Sequence, residues 1–291
     1  MVTPMKQDFS IHYRVLDKLL DWQLEQGTDV IVVAGTTGEG STLELEEYKE
    51  LIRFVSQKVC HRIPVIAGAG SNSTAHAAEL SKEAEKAGAD ALLHVTPYYN
   101  KTSQLGLIKH FEACAAATDL PIILYNIPSR TGVNIKPETY EALLEHETIV
   151  AVKEASGKFS QIARIAALYG DRLDIYSGND DQITPTLALG AKGVISVLSN
   201  LLPDVVHEIC QSYFENDPTK SRKLQLQYLE LADAMFYDIN PIPVKRAMVA
   251  MGLDVGACRL PLCGMEPAAE RNLLKVLGKY GLRGQRIKKL A

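Results

Sequence analysis

Paired cysteines, long apolar runs and an excess of one charge are all missing from this sequence of 291 residues. The five cysteines are an odd number without paired spacing, which excludes a disulfide framework, and Cys258 and Cys263 lack the further ligands of a zinc site. No apolar run approaches the roughly 20 residues that span a bilayer. The net charge is only -4, so no basic field indicates a nucleic-acid-binding protein.

The N-terminal residues 1–10 (MVTPMKQDFS) also lack the apolar core of a signal peptide. Apolar residues make up 46% and charged residues 23% of the chain, which is typical of a globular protein. We therefore expect a soluble protein of a reducing compartment, the cytoplasm, that binds neither nucleic acid nor membrane.

What the sequence does contain is a series of short, β-branched apolar runs, each followed by turn residues. They are Asp29–Val33, Pro64–Ala67, Ala91–Val95, Pro121–Tyr125, Ile149–Lys153, Asp174–Ser177 and Gly193–Val197. Amphipathic stretches separate them, such as Ser73–Ala87, where Ser73 or Thr74 fits a helix cap and Gly88 a left-handed stop. Nearly continuous apolar strands alternating with helices predict a parallel sheet covered on both faces.

Sequential βα units with right-handed crossovers favour an α/β fold, the (β/α)8 TIM barrel. Only Met1–Pro4 remains for a first strand, which we expect to be truncated at its start. An open doubly wound sheet is the alternative, but it would normally show a glycine-rich dinucleotide fingerprint. Strand signals stop after about Asn200, so we predict a catalytic barrel over residues 1–220 and a C-terminal helical region over residues 221–291, whose basic end we interpret as a solvated tail.

Lys153 is the most informative single residue, because it ends a strand that should be buried on both faces. Burial disfavours the ammonium form and lowers its pKa, which gives a nucleophilic amine. Such an amine condenses with a ketone to a Schiff base. The alternative is a lysine paired with Glu154 or with a bound anion.

Other polar residues follow the neighbouring strands, at the edge where a parallel barrel carries its active site. The Tyr125 hydroxyl can pass protons if it is hydrogen-bonded to another hydroxyl, such as that of Thr37, or it is a rim tyrosine that packs its ring. Thr36, Thr37 and the flanking glycines form a plausible carboxylate cradle. Arg130 is placed to bind a second carboxylate, although a surface arginine is the commoner case.

No cofactor signature competes with these residues. The seven histidines show no HExxH or repeated ligand spacing, and the sequence has neither a GxSxG elbow nor a Walker A loop. We therefore expect no metal site.

Six segments together carry a resemblance to a known family. They are GTTGEG (35–40), TPYYNK (96–101), YNIPSRTG (125–132), VKEASG (152–157), SGND (177–180) and NPIPVK (240–245). In this combination the chain resembles the dihydrodipicolinate synthase family over essentially its whole length. The resemblance implies a Schiff-base condensation of pyruvate with L-aspartate 4-semialdehyde, on the diaminopimelate route to lysine. It also implies homotetramers, built as dimers of dimers, that need no metal ion or organic cofactor.

The resemblance also assigns roles to individual residues. Lys153 matches the Schiff-base lysine, and Tyr125, Thr37 and Tyr99 match a proton-relay triad whose last member reaches into the neighbouring subunit. Substrate contacts are implied for the following residues: Thr36 and Thr37 at the pyruvate carboxylate, Gly178 and Ile195 through main-chain atoms, and Arg130 at the carboxylate of the semialdehyde.

Many members of the family are inhibited by lysine at a dimer-interface site. The positions that match this site are Tyr48, Asn72, Ser73, His76 and Tyr98. Two of them depart from the family pattern, because Tyr48 stands where a histidine is common and His76 where a glutamate is common. Without that carboxylate a bound ammonium group loses a charge-assisted partner, so we predict weak or absent inhibition by lysine.

Two other functions fit part of the sequence. An N-acetylneuraminate or 2-keto-sugar-acid lyase would form the same adduct at Lys153, but that branch generally lacks an arginine at the position of Arg130. A barrel that has lost turnover and serves as a metabolite-binding regulator is disfavoured, because a decayed site should have lost some of these residues.

Overall fold

A computed structural model describes residues 1–284 as one parallel β-sheet surrounded by helices. Seven strands follow one another in the order of the sequence, and every neighbouring pair is parallel. The strands are β1 (Ile31–Val33), β2 (Val65–Gly68), β3 (Ala91–Val95), β4 (Ile122–Asn126), β5 (Ile149–Glu154), β6 (Asp174–Ser177) and β7 (Gly193–Val194). The sheet is curled so that one face turns inward.

Helices connect the strands and continue after the last of them. They are α1 (Tyr13–Glu25), α2 (Leu45–Val59), α3 (Thr74–Lys86), α4 (Gln104–Ala115), α5 (Pro128–Thr131), α6 (Thr139–Leu143), α7 (Phe159–Tyr169), α8 (Ile183–Leu187), α9 (Pro203–Phe214), α10 (Pro218–Gln227), α11 (Leu229–Ala234), α12 (Ile242–Ala250) and α13 (Pro267–Lys279). None of the helices within residues 1–284 is both long and apolar enough to cross a lipid bilayer.

All seven predicted strands are present, and β3 and β6 have the predicted bounds. The side chains of successive residues in a strand point to opposite faces of the sheet. Each apolar run therefore contributes side chains to two cores, one inside the curled sheet and one between the sheet and the helices. Residues such as Leu93 and Ile123 pack inside the curled sheet, whereas Leu92 and Leu124 pack between the sheet and the helices. Two-sided burial explains why these strands are apolar throughout rather than alternating.

Residues 1–4, predicted from the sequence to be a truncated first strand, form no strand with a repeated ladder of hydrogen bonds, and the truncation stays a prediction. They lie instead between β1 and the segment after β7. The amino group of Met1 donates to the Val32 carbonyl at 2.6 Å, and the Val2 N–H donates to the side chain of Asn200 at 2.8 Å. Residues 1–4 are thus bonded to a strand carbonyl on one side and to a side chain on the other. A β-strand would instead form repeated main-chain hydrogen bonds with its neighbours.

The residues after β7 are helical, as the loss of strand signals predicts. The predicted boundary after residue 220 falls inside α10, and the division into a barrel and a helical region stays a prediction. The basic segment 282–291 lies mostly outside the described residues.

Helix α3 shows how local sequence fixes the ends of an element. The Ser73 hydroxyl accepts a hydrogen bond from the His76 N–H, which satisfies one of the free donors of the first turn. Gly88 has a positive φ of 93°, a conformation that glycine adopts without steric cost. Both features agree with the predicted cap and stop.

A buried histidine on β3 packs against α3. The Ser81 hydroxyl donates to the Ala77 carbonyl and therefore accepts from the Nε2–H of His94, 3.1 Å away. The Nδ1 of His94 is buried and has no hydrogen-bond partner among residues 1–284. Burial and the nearby His110 lower the pKa of His94 to about 3, so the folded protein holds a neutral imidazole.

We expect this histidine to make the fold sensitive to acid. Below about pH 6.5 the unfolded chain protonates His94 and the folded chain does not, so stability falls as the pH drops towards 3, by about 1.4 kcal/mol per pH unit. A His94→Gln variant should lose less stability over this interval when unfolding is followed by urea titration at each pH. His61→Gln, at an exposed position, is the matched control, and equal acid sensitivity of all three proteins would contradict the assignment.

Candidate active site

Lys153 lies on the inner face of β5, beside Tyr125 of β4. The register of the two strands makes these residues direct neighbours, and Tyr176 of β6 flanks Lys153 on the other side. The Lys153 side chain is buried, and its Nζ lies 4.3 Å from the centre of the Tyr125 ring. A lysine and a tyrosine therefore share the interior of the sheet, where most neighbours are apolar.

The sequence left open whether Lys153 is paired with Glu154. These consecutive residues point to opposite faces of β5, and Glu154 accepts hydrogen bonds from Asn126 at 2.9 Å and from Gln161 at 3.0 Å. Among the described residues, no ion pair to Lys153 is formed. The pairing alternative does not hold for Glu154.

Burial changes the acidity of both groups. It lowers the pKa of Lys153 to about 8, while Asp180 acts in the opposite direction and Arg130 adds to the lowering. At pH 7 about one tenth of the amine is then unprotonated, against roughly one part in 3,000 for an ordinary lysine. Burial also raises the pKa of Tyr125 to about 12, so this phenol holds its proton firmly near neutral pH.

The loop after β1 carries Thr36 and Thr37 and turns tightly. The Gly40 N–H donates to the Gly35 carbonyl at 3.1 Å. A Cβ on Gly40 would lie 1.9 Å from the Ala34 carbonyl oxygen, so only glycine fits there. Two hydroxyls are thus held on a short turn at the carboxyl end of β1, where they are suited to hold a carboxylate.

Arg130 belongs to the short helix α5, directly after β4. Its Nη2 donates to the main-chain carbonyl of Asn240 at 3.2 Å. The same asparagine donates through Nδ2 to the Thr37 hydroxyl at 3.0 Å. The Arg130 guanidinium and the Thr37 hydroxyl, which follow different strands, are therefore both hydrogen-bonded to Asn240.

Gly178 and Ile195 follow β6 and β7. A Cβ on Gly178 would lie 2.6 Å from the Cβ of Ala155 and 3.1 Å from the Cε of Lys153, so the absence of a side chain leaves room for the lysine. The Ile195 N–H donates to the Ser177 carbonyl at 2.9 Å.

One cavity of about 430 Å³ joins these groups. Its lining includes all but one of the residues predicted to act on substrate, namely Thr36, Thr37, Tyr125, Arg130, Lys153, Gly178 and Ile195. An amine with a lowered pKa, hydroxyl-bearing side chains and a guanidinium in one cavity are what Schiff-base chemistry on a substrate with carboxylates requires.

The sequence profile of the Dihydrodipicolinate synthetase family matches residues 1–279. The chain belongs to this family. Relatives include the 4-hydroxy-tetrahydrodipicolinate synthase of Clostridium perfringens, 54% identical over 91% of this chain and 91% of the relative. The enzyme of the same name from Caldicellulosiruptor saccharolyticus is 52% identical over 97% of this chain and 95% of its own.

Solved structures of family members have the same fold. The dihydrodipicolinate synthase of Aquifex aeolicus superposes with a TM-score of 0.94 at 42% identity, over 97% of both chains. The structure of the family member from Cyanidioschyzon merolae, solved with lysine bound, gives a TM-score of 0.93 at 41% identity, over 97% of this chain and 96% of that one. The predicted fold class, a barrel of βα units with C-terminal helices, is confirmed.

Not every residue that the family resemblance implies lies in the cavity. Tyr99 has 90% of its surface exposed and does not line the cavity of its own chain. Within residues 1–284 no hydrogen bond joins the hydroxyls of Tyr125 and Thr37, and the Thr37 hydroxyl accepts one from Asn240. The proton-relay triad therefore stays a prediction.

Two buried polar groups that support the site were missed by the analysis of the sequence. The Asp180 carboxylate accepts from the N–H groups of Val197 and Leu198, both at 2.9 Å, and so holds the segment after Ile195. Asn240 links Thr37 to Arg130. Both residues occur in the motifs SGND and NPIPVK, but nothing in a motif shows which side chain its members contact.

Proposed function

We propose that this chain condenses pyruvate with L-aspartate 4-semialdehyde to 4-hydroxy-tetrahydrodipicolinate, through a Schiff base on Lys153. The observation that carries the proposal is the buried Lys153 amine, with a pKa of about 8, in a cavity that also contains Arg130. The relatives at 50–54% identity, which bear the name of this activity, support the same reaction.

The chemistry proceeds by three covalent stages, which are Schiff-base formation, carbon–carbon bond formation and ring closure. The amine attacks the ketone of pyruvate, water leaves, and the resulting iminium makes the methyl protons acidic. Loss of one proton gives an enamine, whose carbon attacks the aldehyde of the second substrate. The amino group of that substrate then attacks the imine carbon, which closes the ring and releases Lys153.

Each stage moves a proton, and hydroxyl groups are suited to carry it. We assign the relay to Tyr125 and Thr37, together with Tyr99 of a neighbouring copy. The high exposure of the Tyr99 side chain supports a position at an interface between copies. We accordingly propose a homo-oligomer, a tetramer built as a dimer of dimers, that works in the cytoplasm without a metal ion or organic cofactor.

The two substrates are held by their carboxylates. We assign the pyruvate carboxylate to Thr36 and Thr37, with main-chain contacts from Gly178 and Ile195. Arg130 takes the carboxylate of the semialdehyde, since a guanidinium binds a carboxylate through two parallel hydrogen bonds. Fixing both ends aligns the enamine carbon with the aldehyde.

Product analysis tests the proposal. The protein is incubated with pyruvate and L-aspartate 4-semialdehyde, and the mixture is followed by mass spectrometry. We expect a product whose mass equals the sum of the two substrates minus one water. Consumption of neither substrate would overturn the proposal, and cleavage of N-acetylneuraminate in place of condensation would indicate the lyase.

For the regulatory residues we propose weak or absent inhibition by lysine. The family member of Cyanidioschyzon merolae was solved with lysine bound. In the present chain the Nδ1 of His76 lies 3.2 Å from Oε2 of Glu79, and the imidazole itself gives an ammonium group no carboxylate partner at position 76. We expect an inhibition constant well above the micromolar range in a steady-state assay.

The variant His76→Glu restores the missing carboxylate. A charge-assisted hydrogen bond contributes about 1.5–3 kcal/mol, so we expect this variant to bind lysine at least about tenfold more tightly. Low-micromolar inhibition of the unmodified protein would contradict the assignment.

A further inference from the structure

Asn240 joins the two parts of the active site that act on different substrates. The residue is buried, with 5% of its surface exposed, and lines the cavity. Its Nδ2 donates to the Thr37 hydroxyl at 3.0 Å, and its main-chain carbonyl accepts from Arg130 at 3.2 Å. The side chain of Asn240 is therefore hydrogen-bonded to Thr37, and its main chain is hydrogen-bonded to Arg130.

A second contact fixes the same two segments to each other. Lys245, five residues after Asn240, donates through Nζ to Glu39 at 2.6 Å, and both side chains are fully buried. Glu39 is only two residues after Thr37. Because the loop is tied at two points, Asn240 and Thr37 have little freedom to separate.

The hydrogen bond from Asn240 limits which further hydrogen bonds the Thr37 hydroxyl can form. A hydroxyl has one hydrogen to donate and two lone pairs that accept. The Nδ2 of Asn240 occupies one lone pair, so one donor and one acceptor remain. A hydroxyl with one of each accepts a proton from one neighbour and gives a proton to another, which is what a link in a relay must do.

We propose that Asn240 is a positioning residue that orients the Thr37 hydroxyl for proton transfer. The proposal rests on the proposed function, because it assumes that protons leave the methyl group of bound pyruvate through Thr37. Asn240 itself does not exchange a proton. The helical region after the barrel thereby contributes to the chemistry as well as to the packing.

Exchange of the pyruvate methyl protons for deuterium, followed by NMR without semialdehyde, reports this step directly. We expect the Asn240→Leu variant, similar in size but without a donor, to slow exchange about tenfold. Thr37→Val should slow it by about a hundredfold or more. The double variant should match Thr37→Val within about twofold, because Asn240 acts only through Thr37.

Asn240→Asp tests the direction of the hydrogen bond. A carboxylate accepts but does not donate, so it would draw the only Thr37 hydrogen away from the relay. We expect slower exchange than in Asn240→Leu, although aspartate is closer to asparagine in shape. Lowering the pH until this carboxyl is protonated restores a donor, so the rate of Asn240→Asp relative to the unmodified protein at the same pH should rise.

Schiff-base trapping separates this proposal from the proposed function. With pyruvate and borohydride, the Asn240 variants should still form the Lys153 adduct. Loss of the adduct in the unmodified protein would overturn the proposed function instead. Ser221→Ala, at a buried hydroxyl that hydrogen-bonds to Thr184 outside the lining of the cavity, controls for lost stability.

Three results would overturn the role of Asn240. The first is exchange at the normal rate in Asn240→Leu. The second is a double variant whose loss of exchange rate equals the product of the two single losses. The third is faster exchange in Asn240→Asp than in Asn240→Leu. If Asn240→Leu does not fold, Asn240→Ala takes its place in the same cycle, with thermal unfolding as the check.

Discussion

We expect the Lys153→Ala variant to form no adduct with pyruvate and to lose at least about 1,000-fold of its turnover. The cavity is also lined by Met1 and Lys192, but Lys153 is the amine that lies on β5 beside Tyr125, and removal of a covalent nucleophile costs up to about 10⁶-fold in other enzymes. Turnover is measured in steady state and the adduct by borohydride trapping.

Lys153→Arg serves as the control for charge. Arginine keeps the positive charge near Asp180 but stays protonated, so it is no nucleophile. We expect this variant to be as inactive as Lys153→Ala. Activity in either variant above about one part in 1,000 would mean that Lys153 holds an anion rather than the reacting carbon.

The second large effect concerns Arg130. We expect Arg130→Ala to raise the KM for L-aspartate 4-semialdehyde about 10- to 150-fold, because a charge-assisted hydrogen bond to a carboxylate contributes about 1.5–3 kcal/mol. Pyruvate trapping on Lys153 should remain. The KM for each substrate is measured by varying its concentration while the other substrate is saturating.

Two further variants sharpen this test. Arg130→Lys keeps the charge but not the planar pair of donors, so we expect an intermediate KM. Arg164→Ala, at an exposed arginine of α7, should leave both KM values unchanged. Equal loss of pyruvate and semialdehyde use in Arg130→Ala would show that Arg130 supports the cavity as a whole.

Much of the fold could be predicted from apolar runs alone. Strands buried on both faces need apolar residues at every position, so β3 and β6 were located to the residue. The last strand, β7, was predicted to reach Val197 but ends at Val194, because an apolar run looks the same in a strand and in the turn that follows it. The few residues before the first helix, predicted as a truncated strand, pair only at isolated points.

The part of the candidate site that lies at the ends of strands could be predicted from the sequence. Lys153, Tyr125 and Arg130 follow buried strands, and the carboxyl ends of parallel strands meet at one edge. Contacts across the chain could not be predicted, because Asn240 is 203 residues from Thr37 and no periodicity links them. The same limit applies to the buried pair of Lys245 and Glu39.

Trapping of pyruvate followed by peptide mass spectrometry tests the central claim most directly. The protein is incubated with pyruvate and borohydride, with and without L-aspartate 4-semialdehyde, and the modified peptide is sequenced. A Schiff-base synthase predicts a pyruvate-sized increase on Lys153 alone, which prior addition of the semialdehyde removes. An adduct on another lysine, or none at all, would contradict the role given to Lys153, and an adduct that the semialdehyde leaves unchanged would contradict the proposed acceptor.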